Sequence, residues 1–275
     1  LLQLLPPDAA APVRPPPREI VFVIDTSGSM GGPSIEQARA ALTLALARLG
    51  PWDRFNVIAF DSTAEMLFAA PVAADETAVA RAVAWVERLQ ADGGTNVRPA
   101  LVEALRDDGL GPALRQVVFV TDGCVGNEGE LFAYLHEHLG RTRLFTVGIG
   151  SAPNGHFMEG AARFGRGTHT FIASPGEVGT RMEALFAKLE RPALTDVEVR
   201  FHDAVETWPE RAPDLYHGEP VVLAAKLSRF VGEVVVTGRQ GDAPFEVRLP
   251  LEPGRPGNGI GKLFRRRLSA ENFSI

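Results

Sequence analysis

The stretch Glu19–Met30, reading EIVFVIDTSGSM, constrains the fold more than any other. Ile20 to Ile24 is an unbroken apolar run rich in β-branched residues, the pattern of a strand buried on both faces. It stops at Asp25, and Thr26, Ser27, Gly28 and Ser29 follow. One carboxylate and two hydroxyls, spaced Asp-x-Ser-x-Ser, therefore leave the carboxyl end of a buried strand together. A helix is predicted from near Ser34, so this polar loop joins a strand to a helix. In open α/β sheets, ligands bind there, outside the carboxyl ends of central strands.

Three readings of the loop compete. It could simply cap the next helix, since Asp and Ser are common caps. It could carry a nucleophilic serine, but a nucleophile elbow needs Gly-x-Ser-x-Gly, and neither Ser27 nor Ser29 has glycine two residues away on both sides. It could hold a hard cation, because Mg²⁺ and Ca²⁺ take carboxylate and hydroxyl oxygens. The third reading requires further oxygen donors on neighbouring crossovers.

The chain as a whole sets bounds. Its 275 residues, 45% of them hydrophobic, suffice for one large or two modest domains with a sizeable core. A net charge of -6 argues against nucleic acid as the main partner. No run approaches the roughly 18 apolar residues of a membrane span. The chain opens on Leu1 rather than Met and is read as a fragment or processed product, so a missing signal peptide is uninformative. The lone cysteine, Cys124, excludes an internal disulfide; its expected role is a small packed residue.

Residues 1–18 comprise a short apolar run, Leu1 to Leu5, and a linker rich in Pro and Ala. From Ile20 to about Glu190 the pattern alternates strand and helix. Strands are expected at 55–60, 66–69, 116–120, 144–149 and 168–172. Helices are expected at 34–49, 76–89, 99–105, 130–139, 157–164 and 177–189. The strand at 66–69 follows its predecessor too closely for a helical crossover, so a hairpin at the sheet edge is predicted. The fold class is α/β, a doubly wound, mostly parallel sheet.

The further oxygen donors are present. Val117 to Val120 end at Thr121-Asp122-Gly123, so Asp122 leaves a second buried strand as Asp25 leaves the first. If the two strands are neighbours at the switch point, the carboxylates meet. The loop Ala91 to Asn96, ADGGTN, adds the Thr95 hydroxyl, and Gly93-Gly94 permits an unusual backbone path.

With these residues in hand, the chain resembles a von Willebrand factor type A domain with an intact metal-ion-dependent adhesion site. The likeness covers about residues 19 to 191. The family's metal ligands fall on Asp25, Ser27, Ser29, Thr95 and Asp122. The resemblance implies a divalent cation, Mg²⁺ first and Mn²⁺ or Ca²⁺ next, with some carboxylate contacts through water. It also implies that an acidic side chain of a partner completes the shell. The strings SIEQA, RFNVIAF, TDGCVGNE, LFTVGIGSAPN and ALFAKLERPALTDVEV are similar to a narrower group. That group holds the inter-alpha-trypsin inhibitor heavy chains and bacterial envelope proteins with a VIT domain, the sortase-target type among them. The implied setting is the cell envelope or the extracellular space, and the implied partner a protein or matrix ligand. Membrane association would come only through segments outside this chain.

Beyond Arg191 the helices stop. Leu194 to Phe201 alternates as a half-buried strand does, and further strands are expected at 221–227, 232–237 and 245–249. Residues 192–252 thus form a small antiparallel β region. In the heavy-chain relatives, segments before and after the type A domain form a β-sandwich, so Leu1 to Leu5 is expected to pair with these strands. Residues 253–275 are Gly-rich, then basic at Lys262 and Arg265 to Arg267, and read as a solvated tail, with a nucleic-acid or lipid contact as the alternative.

Other chemistry is not supported. His136 and His138, two apart on a helix, do not face one ligand, and neither His-Glu-x-x-His nor GxxxxGK[ST] occurs. His156 and His169 read as surface or satisfied polar groups, and Trp52, Trp85 and Trp208 as packing residues. The expected function is a non-enzymatic, metal-dependent binding module. An intracellular subunit coupled to an ATPase is one alternative, against which the β region stands. A metal-dependent hydrolase is the other, for which no general base is identifiable. Asp25→Ala is expected to leave the fold intact, the residue being placed in a loop.

Overall fold

The structure, a computed structural model, describes residues 1–5, 17–106, 114–123, 125–150, 155–190, 192–202, 204–209, 211–216, 219–229, 231–240, 243–251 and 264–267. Cys124 lies outside them. The chain divides into two compact units, Pro17–Ala187, and Leu1–Pro16 with Lys188–Ile275.

The elements in order are β1 (Leu2–Leu5), β2 (Arg18–Asp25), α1 (Pro33–Ala47), β3 (Arg54–Phe60), β4 (Ala64–Met66), β5 (Val72–Ala73), α2 (Glu76–Val86), α3 (Val97–Ala104), β6 (Leu114–Thr121), α4 (Glu128–His138), β7 (Arg143–Ile149), α5 (Gly155–Phe164), β8 (Arg166–Ile172), α6 (Val178–Glu190), β9 (Pro192–Phe201), β10 (Ala204–Trp208), β11 (Leu215–Tyr216), β12 (Val221–Leu227), β13 (Glu233–Gln240), β14 (Ala243–Pro250) and β15 (Phe264–Arg267).

In the first unit the sheet order is β4-β3-β2-β6-β7-β8, with β5 also on β3. From β3 to β8 the strands are parallel, and β4 and β5 run antiparallel to β3. Every residue of β2 is buried, as a central strand covered on both faces requires. Val21 and Val23 point to one face, into a cluster with Val97, Leu101, Leu131, Leu135 and Phe157 from α3, α4 and α5. Phe22 points to the other face and stacks on Phe186 of α6, centroids 6.5 Å apart. Helices on both faces make the sheet doubly wound, as expected. The connection order places β3 on one side of β2 and β6 to β8 on the other, so the switch point lies between β2 and β6.

Several local expectations are corrected. The edge strand is Ala64–Met66, not 66–69. Asp61 N donates to Thr63 O (3.0 Å) and Thr63 N to Asp61 Oδ1 (2.8 Å), closing the turn early enough for Ala64 to start the return strand. Trp52 and Trp208 are 63% and 61% exposed, so they do not pack inside. Trp52 occupies the turn before β3. Trp208 faces outward opposite Ala224 in the β10–β12 ladder.

The second unit contains two four-stranded sheets, β10-β12-β1-β15 and β11-β9-β13-β14. Leu2, Leu4, Leu223, Leu194, Val197, Val234 and Val236 share one apolar cluster, so the sheets enclose a common core. β1 pairs antiparallel with β12, Leu2 opposite Leu223 and Leu4 opposite Val221. The segment before the α/β unit thus joins strands after it, as the apolar run Leu1 to Leu5 predicts. β5, β10 and β11 are not among the expected strands. Phe264–Arg267 is no solvated tail along its backbone, because it pairs in parallel with β1. A ladder is made by backbone N–H and C=O groups, which basic side chains do not prevent.

Candidate metal centre

β2 and β6 are direct neighbours, with Ile24 opposite Val120, so the two strands that end in Asp open side by side. Asp25 is the last residue of β2 and is fully buried. Its Oδ1 accepts from Ser27 N (2.8 Å). Its Oδ2 accepts from Thr121 Oγ1 (2.5 Å), the last residue of β6. Ser27 is buried, and its Oγ lies 3.1 Å from that of exposed Ser29. Asp25, Ser27 and Ser29 therefore form one hydrogen-bonded group, and Asp122 is close enough for its charge to act on Asp25.

Thr95 arrives on the loop between α2 and α3. That loop is tied to the first by Gly28 N donating to Gly93 O (3.1 Å) and Asp92 N to Thr26 O (2.8 Å). Gly93 has φ +80°, a conformation glycine adopts without strain. A Cβ there would also meet Asp61 Oδ2 at 3.3 Å. Among the described residues, no hydrogen bond joins the half-buried Thr95 to the other four positions.

The electrostatics of the group are unusual. Burial pushes the Asp25 carboxyl above its ordinary range. Hydrogen bonds from Ser27 and Thr121 pull it back, and the Asp122 charge pushes it up again. Among the described residues no cationic side chain acts on Asp25. A buried carboxylate with a like-charged neighbour and hydroxyls around it fits a hard cation by the chemistry of its donors. No three His, Cys, Asp or Glu side chains gather into a metal site among the described residues. The candidate set has only two carboxylates, and its other three donors are hydroxyls.

The structure adds residues that the sequence reading passed over. Thr121 bridges the two Asp loops, since its Oγ1 also accepts from Gly123 N (3.1 Å). Asp61 and Ser62 buttress the Thr95 loop. Asn96 N donates to Asp61 O (2.6 Å) and Gly94 N to Ser62 Oγ (3.0 Å). The signal for them was available as a polar run, Asp61-Ser62-Thr63, at the carboxyl end of buried β3. The histidines stay apart from the centre. His138 stacks on Tyr134, His136 on Phe164, and His156 lies beside Glu128.

An α/β domain with polar loops gathered at the switch point of a doubly wound sheet is a ligand-binding architecture by construction. A sequence profile of the von Willebrand factor type A domain matches residues 18–171, and the chain belongs to that family. A von Willebrand factor A domain-containing protein of Dictyostelium discoideum is 27% identical over 84% of this chain and 25% of its own length. The human von Willebrand factor A domain-containing protein 5B1 is 31% identical over 74% of this chain and 17% of its own. The chain thus spans a quarter or less of these curated relatives. Among solved structures, a von Willebrand factor type A protein of Catenulispora acidiphila superposes with TM-score 0.65 at 20% identity. It covers 85% of this chain and 65% of its own. The ArnB paralog VWA2 of Sulfolobus acidocaldarius gives 0.60 at 17% identity, covering 87% and 66%. At such identities these likenesses show the fold. Domains of this family generally serve in protein–protein interaction and adhesion, and the relatives are named for the domain rather than for a reaction.

Proposed function

We propose that this chain is a metal-dependent adhesion module that binds an acidic group of a protein or matrix ligand. The observation that carries the reading is the buried Asp25 carboxylate, set beside Asp122 at the switch-point edge with no cationic side chain acting on it among the described residues. Asp25, Ser27, Ser29, Thr95 and Asp122 would hold a divalent ion, Mg²⁺ in the first place. The ion would supply an electrophilic position for an anionic oxygen. The chain's own residues do the rest. Thr121 Oγ1 and Ser27 N fix the Asp25 carboxylate from opposite sides. The 3.1 Å approach of Ser27 Oγ to Ser29 Oγ sets two neutral oxygens together. The backbone bonds of residues 26 and 28 to residues 92 and 93 hold the Thr95 loop in register with them.

The reading extends to the subgroup of inter-alpha-trypsin inhibitor heavy chains and VIT-domain envelope proteins, and with it to the cell envelope or the extracellular space. The pairing of β1 with β12 across the α/β unit supports this. The test is the thermal unfolding midpoint with Mg²⁺ and with chelator. A ligand that binds only the folded state raises the midpoint. The wild-type chain is expected to respond, Ser29→Ala to respond at higher Mg²⁺, and Asp25→Asn not to respond. Equal midpoints for the wild type in Mg²⁺ and in chelator would sink the reading.

A further inference from the structure

A cleft of about 310 Å³ opens in the α/β unit between the edge of the sheet and the carboxyl end of α2. Its size is at the lower end for small-ligand sites, about 300 Å³. Thr26, the residue between Asp25 and Ser27, lines it, so it adjoins the candidate metal loop without including any of the five candidate ligands. Ala59 and Phe60, both buried in β3, line it as well. Asp61, Glu65, Trp85 and Arg88 complete the lining that bears on its chemistry.

Three observations fix the sign of what it takes. Two carboxylates and one guanidinium line it, leaving a net negative charge. Among the described residues, no ion pair engages Asp61, Glu65 or Arg88; Asp61 Oδ1 accepts from Thr63 N and Oγ1, so Asp61 contributes its charge while Glu65 is the carboxylate open to a ligand. Trp85 lies in the last turn of α2, an 11-residue helix that ends at Val86, and Arg88 to Gln90 follow that end; the carboxyl end of a helix carries the negative pole of its dipole. The backbone of Glu65 is held opposite Ala59 in the β3–β4 ladder. Trp85 offers an aromatic wall to the hydrocarbon stem or the charged head of a basic side chain.

We infer that this cleft is a subsite for a basic side chain, arginine or lysine, of a polypeptide ligand. Glu65 takes the cationic head, Asp61 adds its charge, and Trp85 lies along the stem. Arg88 is the element that opposes. The inference does not depend on the metal reading.

The probe is Nα-acetyl-arginine methylamide, titrated into the ¹⁵N-labelled chain once with Mg²⁺ and once with chelator. The readout is the Trp85 indole signal, identified by its loss in Trp85→Phe, together with the amides of Thr63 and Gln90. Saturable shifts with a Kd in the millimolar range are expected in both conditions. Glu65→Gln should weaken binding about three-fold, the scale of an exposed ion pair, and Arg88→Gln should strengthen it. Both residues are exposed, so the remaining signals should not move. Nα-acetyl-glutamate methylamide should leave the cleft signals in place. The inference is overturned if the glutamate probe shifts them and the arginine probe does not. It is also overturned if neither probe gives saturable shifts, or if Glu65→Gln binds arginine as well as the wild type. A chain that takes the arginine probe in chelator but shows no Mg²⁺ response retains this subsite and loses the metal reading.

Discussion

At the scale of single residues, Thr121 decides whether the two Asp loops act as one. Its hydroxyl donates to Asp25 Oδ2 at 2.5 Å while accepting from Gly123 N. Removing it leaves one oxygen of a buried carboxylate without its donor, and hydrogen bonds to charged groups contribute about 1.5–3 kcal/mol. Thr121→Val is therefore expected to lower the unfolding free energy by about that amount and to raise the Mg²⁺ concentration needed for thermal stabilisation. Thr121→Ser should restore both. Urea unfolding and Mg²⁺ titration check this; a Val variant with unchanged values in both would detach Thr121 from the site. The sequence announced Asp25, because an apolar run ending in a carboxylate is visible in one dimension. It did not announce how deeply Asp25 is buried. The expectation that Asp25→Ala spares the fold rested on a loop position, but Asp25 is the fully buried end of β2 and accepts two hydrogen bonds. Asp25→Asn is the variant that keeps the shape. Thr121 stayed hidden because its partner is 96 residues away and only the β2–β6 ladder brings them together.

At the scale of elements, β7, β8 and α5 meet around one histidine. Thr146 Oγ1 lies 2.9 Å from Met158 O and 2.9 Å from His169 Nδ1. The hydroxyl has one proton, and the carbonyl can only accept it. His169 Nδ1 therefore donates to Thr146, which fixes the neutral tautomer. Burial lowers the His169 pKa, and the Glu159 charge and a hydrogen bond with the Thr146 backbone oppose the shift. A histidine whose folded pKa lies below its unfolded value contributes stability above the unfolded pKa. It loses that contribution as pH falls through the folded one. Stability should thus fall as pH drops below about 6.5. The difference in urea midpoint between about pH 7.5 and about pH 5.5 should shrink in His169→Gln. An equal difference in both proteins would place the pH dependence elsewhere. The close seating of β8 has a steric cause as well, since a Cβ at Gly167 would come within 2.3 Å of Leu144 O. Sequence periodicity located β8 but carried no sign of this approach, which depends on a neighbour in space. The same limit explains β4. The hairpin was legible from the short spacing, but its start was set by Asp61 bonding Thr63, a detail of turn chemistry rather than of hydrophobic pattern.

At the scale of the whole molecule, the α/β unit interrupts a β unit in the sequence. Leu2–Leu5 precedes it and pairs with Val221–Leu227, which follows it. Leu4 is fully buried in the core of that second unit, with Leu194, Val197 and Val236. Truncating such a side chain costs about 2–5 kcal/mol. Because the core of Ile20 to Ile24 belongs to the other unit, the loss should be confined. Leu4→Ala is expected to reduce amide protection against hydrogen exchange along β12 and β13. Protection along β2 and β6 should stay at the wild-type level. Local opening of one unit at a lower free energy than the other is the ordinary behaviour of separately cored units. The Mg²⁺ response proposed for residues 25 to 122 should survive the substitution. If β12 retains full protection in Leu4→Ala, the first strand is dispensable to the sandwich, and the α/β unit is then an addition to a β unit that is complete without it. Protection lost equally in β2 and β12 would instead mean that the two cores unfold as one.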